Sequence, residues 1–406
     1  MSARKTTVGV IFGGRSVEHD VSIVTAQQIM SAFDATRYEV VPIYITREGK
    51  WLTGDVLKTL DTFKDENLMG RDDIQDVILS PDVRHHGLIV NPLAGRFRKS
   101  EVIRLDIVFP AVHGSHGEDG TLQGLFELAD IPYAGFATCG SALTNDKILT
   151  KQVLQQNDIP TVDGLSFSRD AWLDNPDSIL NEIQNTLGLP VFVKPATLGS
   201  SIGVSPAHDE NMLKAALDIA ANFDRRILVE KAVTEGIEIN CAVMGYGREI
   251  MASVLEQPLS WSDFLAFEDK YLRGDEGMKS AERIIPAPLE DDLTAQITEI
   301  AKNAFRAVDG RGIVRIDFLV KPDAGEIYVN ELNTMPGSLS FYLWRETDMS
   351  DSEVVDKLVK LARDAYADKR RNMYDYKTNL IDVAAGRGLK GAKGTKQVKS
   401  PQTNAN

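Results

Sequence analysis

Four side chains in the stretch Gly312 to Gly337, GIVRIDFLVKPDAGEIYVNELNTMPG, could share one chemical task. Two apolar runs flank Pro322-Asp323-Ala324-Gly325, a composition suited to a hairpin loop. Side chains alternate faces along a strand. Val314, Ile316 and Phe318 therefore share one face of the first run, and Arg315 and Asp317 share the other. In the second run Ile327, Val329, Glu331 and Asn333 are expected on one face. A hairpin centred near Ala324 sets Asp317 opposite Glu331 and Arg315 opposite Asn333. Two carboxylates, an amide oxygen and a guanidinium then occupy one patch. Like charges at cross-strand distance repel. A hard divalent cation relieves that repulsion, and Asp, Glu and Asn offer the oxygen ligands that Mg²⁺ prefers. The alternative is an Arg–Asp pair with a solvent-facing Glu on an edge hairpin.

Two glycine-rich loops suit an anion. Gly13-Gly14-Arg15-Ser16 follows a strand-like run and precedes a helical pattern, but it is not GxGxxG. Leu198-Gly199-Ser200-Ser201-Ile202-Gly203-Val204 is the stronger candidate, because small residues let backbone N–H groups wrap an anion and Ser200 and Ser201 add hydroxyl donors. A tight turn between two strands explains the same glycines. No GxxxxGK[ST] element exists, so a P-loop is excluded. Lys194 ends the run Val191-Phe192-Val193, Lys231 ends Ile227-Leu228-Val229-Glu230, and Lys147 stands at a helix start. A strand-end lysine can simply snorkel to water. Three lysines near Gly/Ser loops, with an acidic metal patch elsewhere, fit a nucleotide triphosphate better. His113-Gly114-Ser115-His116-Gly117-Glu118-Asp119-Gly120 lacks further His or Cys at zinc spacing. It is read as shaping a substrate pocket at a strand's C-terminal end, where open α/β sheets bind ligands. Glu18-His19 has the same location, or is a helix-start acid favoured by the dipole.

The elements that must position these groups form an α/β pattern. Runs at Thr7–Phe12, Glu39–Ile45 and Asp106–Val112 alternate with helical stretches at Ser22–Phe33 and Thr121–Ala129, predicting an open parallel sheet over residues 1–135. Residues 47–104 are polar and read as an irregular surface insertion. A second unit, 136–231, holds the helix Asp146–Asn157 and strands Val191–Pro195 and Ile227–Lys231. A third, 232–380, holds strand Ile237–Gly245, a long loop Glu256–Ser280, helix Leu293–Val308, the hairpin, and helix Asp351–Arg370. From Ala384 to residue 406 the Gly- and Lys-rich tail has no acid and no periodicity, which predicts disorder.

The 406 residues carry a net charge of -14, which argues against nucleic acid or an anionic membrane as general partner. No run approaches the roughly 20 apolar residues of a membrane span. The two cysteines, Cys139 and Cys241, match no metal or redox spacing and read as reduced thiols, so a cytoplasmic protein is expected.

FGGRSVEHDVS (12–22), HGSHGEDGTLQGLFELADIPYAG (113–135), SALTNDKILTK (141–151), PVFVKPATLGSSIGVS (190–205), ILVEKAVTEGIEINCAV (227–243), EDKYL (268–272) and VRIDF…YVNELNTMPG (314–337) together resemble the D-alanine–D-alanine ligases of the ATP-grasp superfamily. The resemblance spans the chain apart from the insertion and tail. It implies three α/β units, the first Rossmann-like, with ATP between the second and third. It also implies small amino-acid substrates and a homodimer. By it, Lys147 and Lys194 contact phosphates, with Ser201 in the phosphate loop. Glu230, Lys231 and Val233 meet the adenine, and Glu238 the ribose. Asp317, Glu331 and Asn333 hold two Mg²⁺ ions, with Mn²⁺ as a substitute. Glu18, near His113, holds the first amino acid's ammonium. Arg315 and the Gly337 N–H bind the developing oxyanion. Ser200 and Tyr271 link with Glu18 to close the long loop as a lid, and Lys270 reaches the γ-phosphate. Tyr271, where histidine would favour a hydroxy acid, implies an amine acceptor. After Gly337 the chain departs from the family: Ser338-Leu339-Ser340-Phe341-Tyr342-Leu343-Trp344 places Tyr342, with Leu343 beside it, where a serine holds the second carboxylate. Ser340 or the Tyr342 hydroxyl is the expected substitute. A related ligase making D-Ala–D-Ser or another dipeptide, and a non-catalytic ATP-grasp relic, are the competing readings.

Overall fold

The computed structural model describes residues 4–65, 67–93, 101–259, 283–373, 378 and 380–387. The chain divides into two compact units, Met1–Ala365 and Tyr366–Asn406. Three sheets and the candidate site lie in the first.

The N-terminal sheet has seven strands: β1 (Thr6–Gly13), β2 (Tyr38–Ile45), β3 (Trp51–Thr53), β4 (Gln75–Leu79), β5 (Gly87–Val90), β6 (Glu101–Arg104) and β7 (Ile107–Pro110), in the order β6-β5-β4-β3-β2-β1-β7. β1 is buried along almost its whole length and runs parallel to β2 and β7, as expected of a strand covered on both faces. The expected open parallel sheet is therefore confined to one end, the three strands β2, β1 and β7. β2 to β6 pair antiparallel, and the sheet is mixed. Residues 47–104 are also not the irregular insertion their composition suggests. They supply β3 to β6 and bury Leu52, Leu57, Val77, Leu79, Leu88 and Val90. Helices α1 (His19–Ala32) and α2 (Thr121–Ala129) follow β1 and β7. At the end of β1 the chain turns on Gly13, whose φ is +86° and whose Cβ would meet the Ile45 carbonyl at 2.2 Å, so only glycine fits. That turn delivers Glu18 to the start of α1.

Helices α3 (Thr138–Asn145) and α4 (Lys147–Gln156) lead to a second, antiparallel sheet. Its strands β8 (Gly164–Ser168), β9 (Val191–Pro195), β10 (Ser205–Ala207) and β11 (Arg226–Lys231) are ordered β10-β9-β11-β8. Helices α5 (Arg169–Asp174), α6 (Pro176–Thr186) and α7 (Glu210–Phe223) cover one face, where Val191, Val193, Ile227 and Val229 pack with Ile183, Leu213 and Leu217. Alternation leaves Phe192 and Lys194 on the other face.

The third sheet is antiparallel: β12 (Ile237–Tyr246), β13 (Glu249–Pro258), β14 (Arg283–Ile284), β15 (Gly312–Lys321) and β16 (Glu326–Asn333), ordered β14-β13-β12-β15-β16. Helix α8 (Asp291–Ala307) seals one face through Ile297, Ala301, Ala304 and Phe305 against Ile239, Cys241, Val243, Val314, Ile316 and Phe318. The other face carries Asn240, Arg315 and Asp317. Beyond β16 come α9 (Phe341–Arg345) and α10 (Asp351–Lys369). Met335, Leu339, Phe341, Leu343 and Trp344 join one core with Val10, Phe12, Ile29 and Phe109 of the N-terminal sheet layer. In the second unit α11 (Leu380–Arg387) is helical, so the segment expected to be disordered from residue 384 begins inside a helix. Residues 388–406 lie outside the described residues.

Candidate active site

The β15–β16 hairpin has the expected register at its site end: Arg315 pairs with Asn333 and Asp317 with Glu331. The expected common face of Ile327, Val329, Glu331 and Asn333 is not observed. A bulge shifts the register between Asp317 and Phe318, leaving Asn330 as the extra residue on β16. Ile327 and Val329 stay in the core, and beyond the bulge Leu332 takes the buried position while Glu331 and Asn333 turn to the site face. Arg315 donates to both Asp317 oxygens, at 2.6 and 2.7 Å. The Asn333 amide donates to Asp317 at 2.9 Å and Glu331 at 3.5 Å. Among the described residues no group of three or more His, Cys, Asp or Glu side chains gathers as for a metal. Here two carboxylates are completed by an amide instead, and a half-turn of Asn333 would present its oxygen. That all-oxygen donor set fits a hard divalent cation.

The bulged Asn330 connects this patch to the lysines. Its Oδ1 accepts from Lys194 Nζ at 3.1 Å. Lys194 also pairs with Glu230 at 2.5 Å, and the second Glu230 oxygen pairs with Lys151. Burial alone would push the Glu230 carboxyl up, but the two ammonium groups together bring it down to about 2. Lys147 is held differently: its Nζ donates to the Leu198 carbonyl at 2.6 Å, and burial lowers its pKa. Loop 198–204 is the tight turn between β9 and β10, with Ser200, Ser201 and Gly203 all at positive φ. It also carries the Lys147 contact. Lys231 and Glu238 are exposed and Val233 is half-buried, near the end of β11 and the start of β12.

The same loop reaches the N-terminal unit of the fold. The Ser200 hydroxyl donates to Glu18, which is buried at the start of α1. His113 is 4% exposed and bonds Thr25 at 3.0 Å, and burial lowers its pKa to about 4, so its ring is neutral. Glu118 spans the gap between loops, accepting the Gly114 N–H at 2.8 Å and the Met335 N–H at 3.0 Å. Burial, together with the Glu18 charge, pushes its carboxyl up to about 8.

Downstream of Pro336 and Gly337, Ser338, Leu339 and Ser340 have φ of 51°, 50° and 51°. Three successive left-handed residues with side chains cost about 1–2 kcal/mol each. The fully buried Leu339 pins the turn in the core. The expected acceptor-site residues divide here. Leu343 is fully buried core. Ser340 is fully buried too, and its hydroxyl has no partner among the described residues. Tyr342 does face polar neighbours: its hydroxyl donates to Glu256 at 2.6 Å, and the Arg283 guanidinium lies 4.5 Å above its ring. Lys270 and Tyr271 lie outside the described residues. Sequence reasoning passed over Lys151, Glu118, Asn330, Glu256 and Arg283. Only Lys151 carried a local signal, standing one helical turn after Lys147.

The three sheets and their order are those of the D-alanine ligases among solved structures, and the chain has their ATP-grasp fold. The family profile described as D-ala D-ala ligase N-terminus matches residues 7–136, and that described as D-ala D-ala ligase C-terminus matches 153–360. The D-alanine--D-alanine ligase of Thermosipho africanus is 39% identical over 93% of this chain and 98% of that protein. That of Heliobacterium modesticaldum is 40% identical over 91% and 97%. Among solved structures, VanG D-Ala:D-Ser ligase from Enterococcus faecalis has a TM-score of 0.75 at 29% identity, covering 88% of this chain and 100% of that one. The D-alanine-D-alanine ligase from Coxiella burnetii has a TM-score of 0.73 at 29% identity, covering 95% and 99%. The chain belongs to the D-alanine–D-alanine ligase family.

Proposed function

We propose that this protein joins two D-alanines, with ATP cleaved to ADP and inorganic phosphate, to supply a peptidoglycan precursor. Family membership brings ATP and Mg²⁺ as requirements and small amino acids as substrates. The observation that carries the reading is the 198–200 loop, which holds Lys147 through the Leu198 carbonyl and Glu18 through Ser200. In this reading one loop supports both a phosphate-facing lysine and an ammonium-binding carboxylate.

A carboxylate is a poor electrophile. In our reading an oxygen of the first D-alanine attacks the γ-phosphorus of ATP, ADP departs, and an acyl phosphate forms. Glu18 holds that substrate's ammonium, beside neutral His113. Lys147 and Lys194 face the phosphates, with Ser201 in the loop. Glu230, Lys231 and Val233 lie along the adenine and Glu238 at the ribose. Asp317, Glu331 and Asn333 would hold Mg²⁺, two ions in this reading, which supplies charge neutralisation at the phosphates. The amine of the second amino acid, having lost a proton, attacks the acyl carbon, and inorganic phosphate leaves. Arg315 and the Gly337 N–H stabilise the tetrahedral oxyanion. A homodimer in the cytoplasm is the proposed setting. Among the described residues no helix is long and apolar enough to cross a membrane.

D-serine as acceptor is the second reading, favoured by the likeness to a D-Ala:D-Ser ligase. The test is ADP release with ATP and Mg²⁺ across D- and L-amino acids. D-alanine alone should support turnover, and D-alanine with D-serine separates the two readings. Faster turnover with L-alanine than with D-alanine would overturn both.

A further inference from the structure

Register aligns one row of polar residues across four strands of the third sheet. Glu256 pairs with Asn240, Asn240 with Asp317, and Asp317 with Glu331. The Asp317–Glu331 end belongs to phosphoryl transfer. The Glu256 end has a different chemistry. Glu256 is buried, accepting from Tyr342 at 2.6 Å and from Asn240 at 3.2 Å, and pairing with Arg283 at 3.3 Å. Arg283 lies on β14, opposite Pro258, with its guanidinium stacked 4.5 Å above the Tyr342 ring and its side chain 33% exposed.

This arrangement bears on how the second substrate is held. An acceptor amino acid brings a carboxylate that needs hydrogen-bond donors. The Tyr342 hydroxyl spends its proton on Glu256, and Ser340 is sealed in the core. Neither supplies the donor. A guanidinium has five N–H groups in a rigid fork matched to a carboxylate, and stacking on an aromatic ring fixes its plane. Glu256 engages Nη1 of Arg283 and the ring takes one face, and that same Tyr342 stands where the family resemblance puts the acceptor carboxylate.

We propose that Arg283, clamped between Glu256 and Tyr342, binds the carboxylate of the acceptor, so that the enzyme selects free α-amino acids over their amides and esters. The proposal rests on the ligase reading. The two are separable because the donor must offer a carboxylate for phosphorylation, so D-alaninamide can enter only as acceptor. With D-alanine as donor, formation of D-alanyl-D-alanine and D-alanyl-D-alaninamide is followed for wild type, R283M and R283K. Wild type should prefer D-alanine over D-alaninamide as acceptor by tenfold or more in kcat/KM. R283M should raise the acceptor KM for D-alanine at least tenfold and bring that preference close to unity. Its KM values for ATP and donor D-alanine should stay within twofold of wild type. R283K, keeping the charge, should retain the preference with a weaker KM. An R283M enzyme that still discriminates as wild type does, or a wild type indifferent to the amide, overturns the proposal alone. A wild type that turns over no D-amino acid overturns the ligase reading and the proposal with it.

Discussion

At the scale of single residues the site is built from buried charges whose partners decide their state. His113 shows the effect on stability. Its ring is neutral in the fold because burial lowers its pKa to about 4, against an ordinary 6.5. As pH falls from 6.5 towards 4, the unfolded chain takes up a proton that the folded ring refuses. The native state is therefore intact above that window and progressively destabilised within it, by about 3 kcal/mol from this group. H113Q cannot titrate, so its melting temperature should fall less than wild type's between pH 6.5 and 4.5; parallel curves would refute the assignment. Arg315, Asp317, Glu331 and Asn333 were legible in sequence because charged residues interrupt apolar alternation there. Glu118 and Glu256 were not, because nothing local distinguishes them from surface acids. Their partners, Met335 and Tyr342, stand 217 and 86 residues away.

Elements were legible where one periodicity ran unbroken. The hairpin register followed from two apolar runs and a turn. The bulge at Asn330 is marked by a slip of apolar phase, from Ile327 and Val329 to Leu332, which a reading of unbroken alternation passes over. β3 to β6 escaped because strands of three to five residues in polar surroundings give almost no alternation to count. After Gly337, Leu343 was read as pocket lining, and the structure shows it fully buried in the core shared with the N-terminal layer. L343A should therefore cost about 2–5 kcal/mol. A lowered denaturation midpoint with an acceptor KM within twofold of wild type is the expected pattern. A raised KM without loss of stability would return Leu343 to the pocket.

For the molecule as a whole, the α/β class and the family were readable, because motif segments recur from Phe12 to Gly337. The mixed character of the first sheet was not, since its antiparallel half is written in short, polar strands. Composition at the C-terminus makes a whole-chain prediction. Residues 388–406 contain four lysines and no acid. Ending the chain after Arg387, so that α11 is kept, should leave turnover and melting temperature unchanged. A large loss of either would show that these residues dock on the enzyme.

The extra residue at Asn330 also has a meaning for sequence change over time. Before it, odd-numbered positions of β16 face the core; after it, even-numbered ones do. Removing that one residue would give a continuous ladder in which Val329 and Leu332 stay inward and Glu331 and Asn333 keep the site face, so the loss is the Asn330 link to Lys194. A single-codon deletion at Asn330 therefore spares the acidic edge, whereas losing Leu332 would turn Asn333 toward the core. In this eight-residue strand the register tolerates a change of length at the bulge and not between Glu331 and Asn333.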